Sequence, residues 1–162
     1  KRPKDEVNYL MGLLSMQVQA NIPKFNKLDI RILFLGNKDG IPESAYKGLM
    51  KAVDATKNNT TLTVQLAINY GGWDEIARAI NKALSAGITS FTPETLLSFV
   101  PLPDMIVRSA GEERLSGFML LQSNYSEFGF YDDLWPDWNE AMVDRIVSDY
   151  QSRTRKYGGL VK

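Results

Sequence analysis

Apolar residues recur at spacings of three and four through Val7, Leu10, Met11, Leu14, Val18, Ile22 and Phe25, which predicts an amphipathic helix running to about Lys27. Pro3 at its start and Asp5 and Glu6 in its first turn suit the positive end of a helix dipole. Pro23 predicts a kink, because proline has no amide to donate and crowds the preceding turn. Gly12, Ser15 and Ala20 leave room beside this helix either for a cavity or for close packing. From Ile30 to Leu35 the pattern becomes a continuous apolar run, a buried strand closed by the turn Asn37-Lys38-Asp39-Gly40. A second helix opens at Pro42 and Glu43, carries Tyr46, Leu49, Met50 and Val53 as its stripe, and ends in a polar Lys-Asn-Asn-Thr run.

Thr61 to Asn69 alternates, with Leu62, Val64, Leu66 and Ile68 on one face and Thr61, Thr63, Gln65 and Ala67 on the other. The second face is too polar for a strand covered on both sides, so it is expected to border a cavity or a small-residue contact. Asn69-Tyr70-Gly71-Gly72 then turns into a helix starting near Trp73 or Asp74, with Ile76, Ala79, Ile80 and Leu84 inward and Ala86-Gly87 at its end. Thr92 as cap and Pro93 at the first position predict a short helix before the Pro-Leu-Pro-Asp segment. Met105, Ile106 and Val107 read as a buried strand that breaks at Arg108 into a polar loop of Ser109, Gly111, Glu112, Glu113, Arg114 and Ser116. Beyond it Phe118 to Leu121 should be buried, and Asp137 should cap a last helix whose apolar positions are Met142, Ile146 and Tyr150. Strands alternating with helices give an α/β class with a mainly parallel central sheet flanked by helices, and no linker or repeat interrupts it, so residues 1–162 read as one domain.

Composition narrows the chemistry. Nineteen basic residues balance nineteen acidic ones in a chain of 162 residues that is 44% hydrophobic, so there is no global field to attract nucleic acid and any anion site must be local. With neither cysteine nor histidine, thiolate nucleophiles, disulfides and the commonest general base and zinc ligand are all excluded. What remains is chemistry run by carboxylates, arginines, hydroxyls and hard cations such as Mg²⁺. No run of 18 apolar residues and no signal-peptide pattern occurs, which points to the cytoplasm.

The candidate site follows from where the strand at Met105–Val107 ends, since open α/β sheets bind ligands outside the carboxyl ends of their strands. Arg108 and Arg114, six apart with a glycine between them, can curl to address one ligand, with Ser116 adding a hydroxyl; a diphosphate fits such a receptor. On spacing alone these arginines could equally form surface ion pairs with Glu112, Glu113 or Asp104, each worth at most about 1 kcal/mol. Glu127 is a lone carboxylate, Asp132-Asp133 read as a turn, and Arg153, Arg155 and Lys156 suit the negative end of the last helix.

The runs R-S-A-G-E-E-R-L-S-G-F, Y-S-E-F-G-F and L-W-P-D-W resemble the C-terminal signature of the cis-prenyltransferases, the undecaprenyl diphosphate synthase family. K-R-P-K-D-E-V, L-T-V-Q-L-A-I-N-Y-G-G and R-T-R-K-Y-G-G agree in the same order, so the resemblance covers nearly the whole chain. It implies sequential cis-condensation of isopentenyl diphosphate onto farnesyl diphosphate, giving undecaprenyl or another long-chain polyprenyl diphosphate, the lipid carrier for cell-wall synthesis. By position it implies that Arg2, Arg108, Arg114, Leu115 and Ser116 bind substrate, that Glu127 helps hold Mg²⁺ with Glu113 as a second candidate, and that the first helix and the Thr61–Asn69 strand border a product tunnel. It further implies a homodimer, with the Gly158-Gly159 tail reaching the partner's site, and a product delivered to the inner membrane face. Three positions depart from the family pattern: Trp73 stands for an arginine, Glu113 for a histidine and Leu121 for a tryptophan. The family's D-G-N-G-R-W loop, with its catalytic aspartate and asparagine, is expected upstream of Lys1 and is absent from these residues, so this stretch is expected to be an inactive, N-terminally truncated piece. A non-catalytic structural or regulatory subunit of a cis-prenyltransferase complex is the alternative.

Overall fold

The computed structural model describes residues 3–92, 95 and 102–155. Arg2, the segment after Pro93 expected to be a short helix, and the Lys156 to Gly159 tail lie outside the described residues. The chain forms two compact units, Lys1–Tyr70 and Gly71–Lys162. Among the described residues each holds one pair of strands, and both pairs are parallel, in agreement with the α/β reading.

The first unit contains α1 (Lys4–Ala20), α2 (Ile22–Lys27), β1 (Ile30–Gly36), α3 (Glu43–Ala55) and β2 (Leu62–Ile68). The single helix expected to run to Lys27 is instead two, broken at Asn21. Pro23 can neither donate to the carbonyl of Gln19 nor sit beside it, so the interruption falls two residues ahead of the proline and leaves it in the first turn of α2. Val18, Leu49, Ala52 and Ile68 form the buried core, with Leu14, Phe25, Phe34 and Leu66 packed around it.

On α3 the expected stripe is right at Leu49, but the other fully buried positions are Ala45, Gly48 and Ala52, while Tyr46, Met50 and Val53 are half-buried. The cause is close helix contact: a Cβ on Gly48 would overlap Ser15 Oγ and meet the Gln19 amide, so α1 and α3 approach where each has a small residue. Ser15 therefore serves packing, whereas Gly12 has nothing within 4 Å of its would-be Cβ. Buried Thr56 satisfies itself twice, accepting from Ile32 N–H at 2.9 Å and donating to Ala52 O at 2.8 Å. Along β2 the apolar face is buried at Ile68 and half-buried at Val64 and Leu66, but Leu62 at its start is 52% exposed.

At the amino ends of the two strands Asp29, held at φ +53°, accepts from the backbone and hydroxyl groups of both Thr60 and Thr61. These bonds, the Thr61 hydroxyl foremost, hold its carboxyl below the ordinary aspartate range. A depressed folded-state value means that the stability it contributes is present above the unfolded value near about pH 4 and is lost as pH falls through the lower folded one. Asp29→Asn is accordingly expected to lower Tm at neutral pH while flattening its decline below about pH 4; melting curves across that range check it, and an undiminished acid decline in the variant would refute it.

The second unit contains α4 (Gly72–Ser85), β3 (Met105–Arg108), β4 (Glu127–Phe130) and α5 (Glu140–Ser152), with 3₁₀ turns at Gln122–Tyr125 and Trp135–Asp137. The buried stripe of α4 runs through Gly72, Glu75 and Ala83, with Ile76, Ala79 and Ile80 half-buried. Leu84, expected inward, is 49% exposed because it lies one residue, a rotation of about 100°, beyond that stripe. Phe118 and Leu121, expected buried, are partly exposed; the chain is wound into consecutive turns there, and Gln122 and Ser123 take the interior positions. The cap of α5 is Asn139, whose side chain accepts from Met142 N–H at 3.2 Å, because Asp137 is already committed to the preceding 3₁₀ turn.

Candidate functional site

The site grows from the parallel pairing of β3 with β4, in which Arg108 stands opposite Phe130 at the carboxyl end. Beyond Arg108 the loop is stapled by its backbone. Ala110 N–H donates to Asp133 O and Gly111 N–H to Tyr131 O, each at 3.0 Å, and Tyr131 N–H returns a bond to Arg108 O at 3.0 Å. Farther on, Gly72 N–H at the start of α4 donates to Gly117 O at 2.8 Å. Ala110, Gly111, Ser116 and Gly117 all adopt left-handed backbone, which is rare for the two non-glycine residues and is held by these bonds.

The loop so held brings four of the expected residues together. Arg108, Arg114 and Leu115 border one hollow of about 200 Å³ whose remaining wall is Ile106, Val107, Phe118 and Phe130. Arg108 Nη1 donates to Arg114 O and, at 2.9 Å, to Ser116 Oγ. Ser116 thus accepts from the guanidinium and keeps its own proton to donate to a ligand oxygen. Arg114 pairs with Glu112, the surface ion pair that spacing alone also allowed. That pair is exposed on both sides, so it is worth at most about 1 kcal/mol and an anion of higher charge can displace it. An apolar hollow with two permanent cations and a hydroxyl at its rim matches a ligand with a short hydrocarbon tail and a phosphate head.

Glu127 is not brought to this rim. It opens β4 opposite Met105, three residues before Phe130, which places it about 10 Å from the Arg108 end of the ladder. There it accepts from Arg153 Nη1 at 3.0 Å. Arg153 also donates to Phe128 O at 2.8 Å and, through Nη2, to Asp149 Oδ2 at 2.9 Å, so it binds the end of α5 to β4 rather than simply facing a helix dipole. Asp149 and Glu127 hold its guanidinium above the ordinary arginine value, and Arg153 followed by the Tyr131 hydroxyl holds the Asp149 carboxyl below its own. Arg155 pairs with Asp104 at 2.7 Å.

Glu113 is exposed on the loop that follows Arg108. Among the described residues no three acidic side chains converge as metal ligands, and Glu127 is occupied by Arg153. These two glutamates do not by themselves fit Mg²⁺, which needs near-octahedral oxygen ligation.

Sequence reasoning missed the polar groups that hold the loop from behind. Glu75 and Gln122, both buried, meet at 2.6 Å between α4 and the 3₁₀ turn, and Tyr131 donates to Asp149 at 2.8 Å. The four-residue spacing of Asp149 and Arg153 was a readable helix-pair signal. The other contacts join residues distant in sequence and leave no periodic trace.

Comparison with known proteins converges on one family. Residues 1–158 match the family model described as "Putative undecaprenyl diphosphate synthase". An isoprenyl transferase of Neisseria gonorrhoeae is 37% identical over 163 residues, covering 98% of this chain and 66% of that protein. A ditrans,polycis-undecaprenyl-diphosphate synthase of Micrococcus luteus, farnesyl-diphosphate specific, is 38% identical over 170 residues, covering 98% of this chain and 68% of that one. The chain thus spans about two thirds of the length of these relatives. A crystal structure of a "probable undecaprenyl diphosphate synthase" from Campylobacter jejuni superposes with a TM-score of 0.89 at 30% identity, covering 98% of this chain and 77% of that one. Lavandulyl diphosphate synthase from Lavandula x intermedia, in complex with dimethylallyl diphosphate, gives 0.90 at 29% identity, with 98% and 74% covered. With a family model matched over nearly its whole length and relatives above 30% identity, this chain belongs to the undecaprenyl diphosphate synthase family, the cis-prenyltransferases.

Proposed function

We propose that the protein carries out prenyl transfer, condensing isopentenyl diphosphate repeatedly and in cis onto farnesyl diphosphate to give undecaprenyl or another long-chain polyprenyl diphosphate, a lipid carrier for cell-wall synthesis. The observation that carries this reading is the hollow bordered by Arg108 and Arg114. At about 200 Å³ it is smaller than the roughly 300–1,000 Å³ of pockets for drug-sized ligands, and suits the short isopentenyl tail better than the longer farnesyl chain. Arg108 and Arg114 would grip the diphosphate, Ser116 would donate to one of its oxygens, and Leu115 would pack on the first carbons of the tail. Arg2 is carried over by position as a contact at the mouth.

In this reaction the allylic C–O bond breaks and releases diphosphate as the new carbon–carbon bond forms, and the acceptor then loses a proton, which the released diphosphate can take, to restore a double bond. Fixed cationic donors lower the barrier by stabilising the charge that develops on the departing diphosphate. The chain's own part is to hold the acceptor's diphosphate still and keep its double bond directed at the reacting carbon. By position Glu127 and Glu113 would contribute to holding Mg²⁺ only together with substrate phosphate oxygens and further ligands, and the ion would supply charge stabilisation to the departing diphosphate. A homodimer in the cytoplasm that hands product to the inner membrane face completes the proposal; no helix among the described residues is long and apolar enough to cross a membrane.

Against a purely structural or regulatory subunit stands the loop itself, since such a subunit has no need of both arginines and a hydroxyl around an apolar hollow. The test is extension of farnesyl diphosphate with labelled isopentenyl diphosphate by the full-length gene product in the presence of Mg²⁺. Long-chain labelled product is expected, with a KM within the usual range of about 1 μM to 1 mM. A full-length protein that transfers no label would remove the enzyme reading in favour of the subunit.

A further inference from the structure

Tyr131 is the point at which the anion loop and the last helix meet. Its backbone belongs to the loop: the amide donates to Arg108 O and the carbonyl accepts from Gly111 N–H, both at 3.0 Å. Its side chain belongs to α5. The ring is 7% exposed, lies 5.2 Å below the Arg145 guanidinium, and is met edge-on by Trp138; the hydroxyl donates to Asp149 Oδ2 at 2.8 Å. Asp149 is in turn fixed by Arg153, which reaches Glu127 and Phe128 O on β4. Arg145 closes a second connection by pairing at 3.7 Å with Asp133, whose carbonyl accepts from Ala110 N–H.

We infer that Tyr131 is a positioning residue for the diphosphate loop, transmitting the position of α5 to Arg108 and Arg114 through its Asp149 hydrogen bond. The inference rests on the diphosphate reading of that loop and adds a residue that does not border the hollow. The loop's left-handed segment at Ala110 and Gly111 has its two amides bonded to the carbonyls of Asp133 and Tyr131, so the loop can be no better placed than the segment 131–133. Past the end of β4 that segment is joined to the loop by these backbone bonds, and the Tyr131 side chain anchors it to a helix.

Tyr131→Phe isolates the effect, since the ring keeps its place under Arg145 and against Trp138 while the hydroxyl is lost, and Asp149 retains Arg153 as partner. Hydrogen exchange at Ala110 and Gly111 is expected to quicken about tenfold, with exchange in the β1–β2 ladder unchanged, the size set by one lost hydrogen bond. In the full-length enzyme the KM for isopentenyl diphosphate should rise about fivefold with kcat held within about twofold, the signature of binding lost equally from the ground state and the transition state. Asp149→Ala should reproduce the exchange change, and Val143→Ser, on the exposed side of α5, should not. Unchanged exchange at Ala110 and Gly111 would overturn the inference, as would acceleration spread equally over the β1–β2 ladder, which marks general destabilisation. Local quickening in Tyr131→Phe together with a wild-type enzyme that binds no isopentenyl diphosphate would support the coupling while removing the diphosphate reading.

Discussion

Arg108→Ala is expected to raise the KM for isopentenyl diphosphate in the full-length enzyme about a hundredfold or more, the largest effect of any substitution at the rim. Two losses combine. The first is the direct one, a bidentate cation withdrawn from a dianion's receptor, which typically costs about 2–5 kcal/mol. The second is mechanical, because the same guanidinium donates to Arg114 O and Ser116 Oγ and so folds the loop that presents the other two contacts. Arg114→Ala removes a charge that otherwise faces Glu112 and leaves the loop braced, so its KM should also rise strongly but by less, about tenfold to a hundredfold. Arg108→Lys separates the two contributions: an ammonium keeps the charge but cannot serve carbonyl, hydroxyl and phosphate together in one plane, so it should fall between alanine and wild type. Steady-state kinetics on the three variants decide the matter, and an Arg108→Ala enzyme with unchanged KM would refute the role given to the rim.

The order of those effects could not have been set from the sequence, although both arginines could be picked out there. Their place at the end of an apolar strand, with a glycine between them, was visible as a polar break after Met105, Ile106 and Val107. So was the alternation of strands and helices. That Arg108 points back into its own loop depends on the left-handed turns at Ser116 and Gly117, and serine carries no local mark of that conformation. Glu127 shows the opposite failure: its motif was legible, but its distance from Arg108 follows from the strand register and its pairing from Arg153. Leu84, Phe118 and Leu121 were assigned inward because they are large and apolar, yet the interior near the loop went to Glu75, Gln122 and Ser123. Buried polar residues with partners inside, Gln122 on Glu75 and Ser123 on Leu120 O, break the equation of apolar with inside, and no periodicity reports them.

Gly72→Ala is where that hidden scaffolding should fail most visibly. Gly72 opens α4 with its amide on Gly117 O at 2.8 Å, and a Cβ there would stand 2.5 Å from that same oxygen and 2.9 Å from Leu120 Cγ. A leucine can rotate aside, but a backbone oxygen cannot, so the added methyl must push the loop off the helix and stretch the bond that joins them. Overpacking of this kind costs about 1–3 kcal/mol, and the weakened hydrogen bond about 1 kcal/mol more. For a chain of this length that corresponds to a Tm lower by about 5–15 °C. Because the displaced residue adjoins Ser116, the KM for isopentenyl diphosphate should rise as well, which a helix defect remote from the loop would not produce. Leu120→Ala in the Gly72→Ala background sharpens the argument. If the leucine were the obstacle the second change would restore Tm, whereas a clash with Gly117 O leaves the pair at least as unstable as the single variant. Gly12→Ala, in the interior of α1 with open space around its would-be Cβ, should instead gain about 0.5–1 kcal/mol, so that the sign of the change at each glycine reports what faces it.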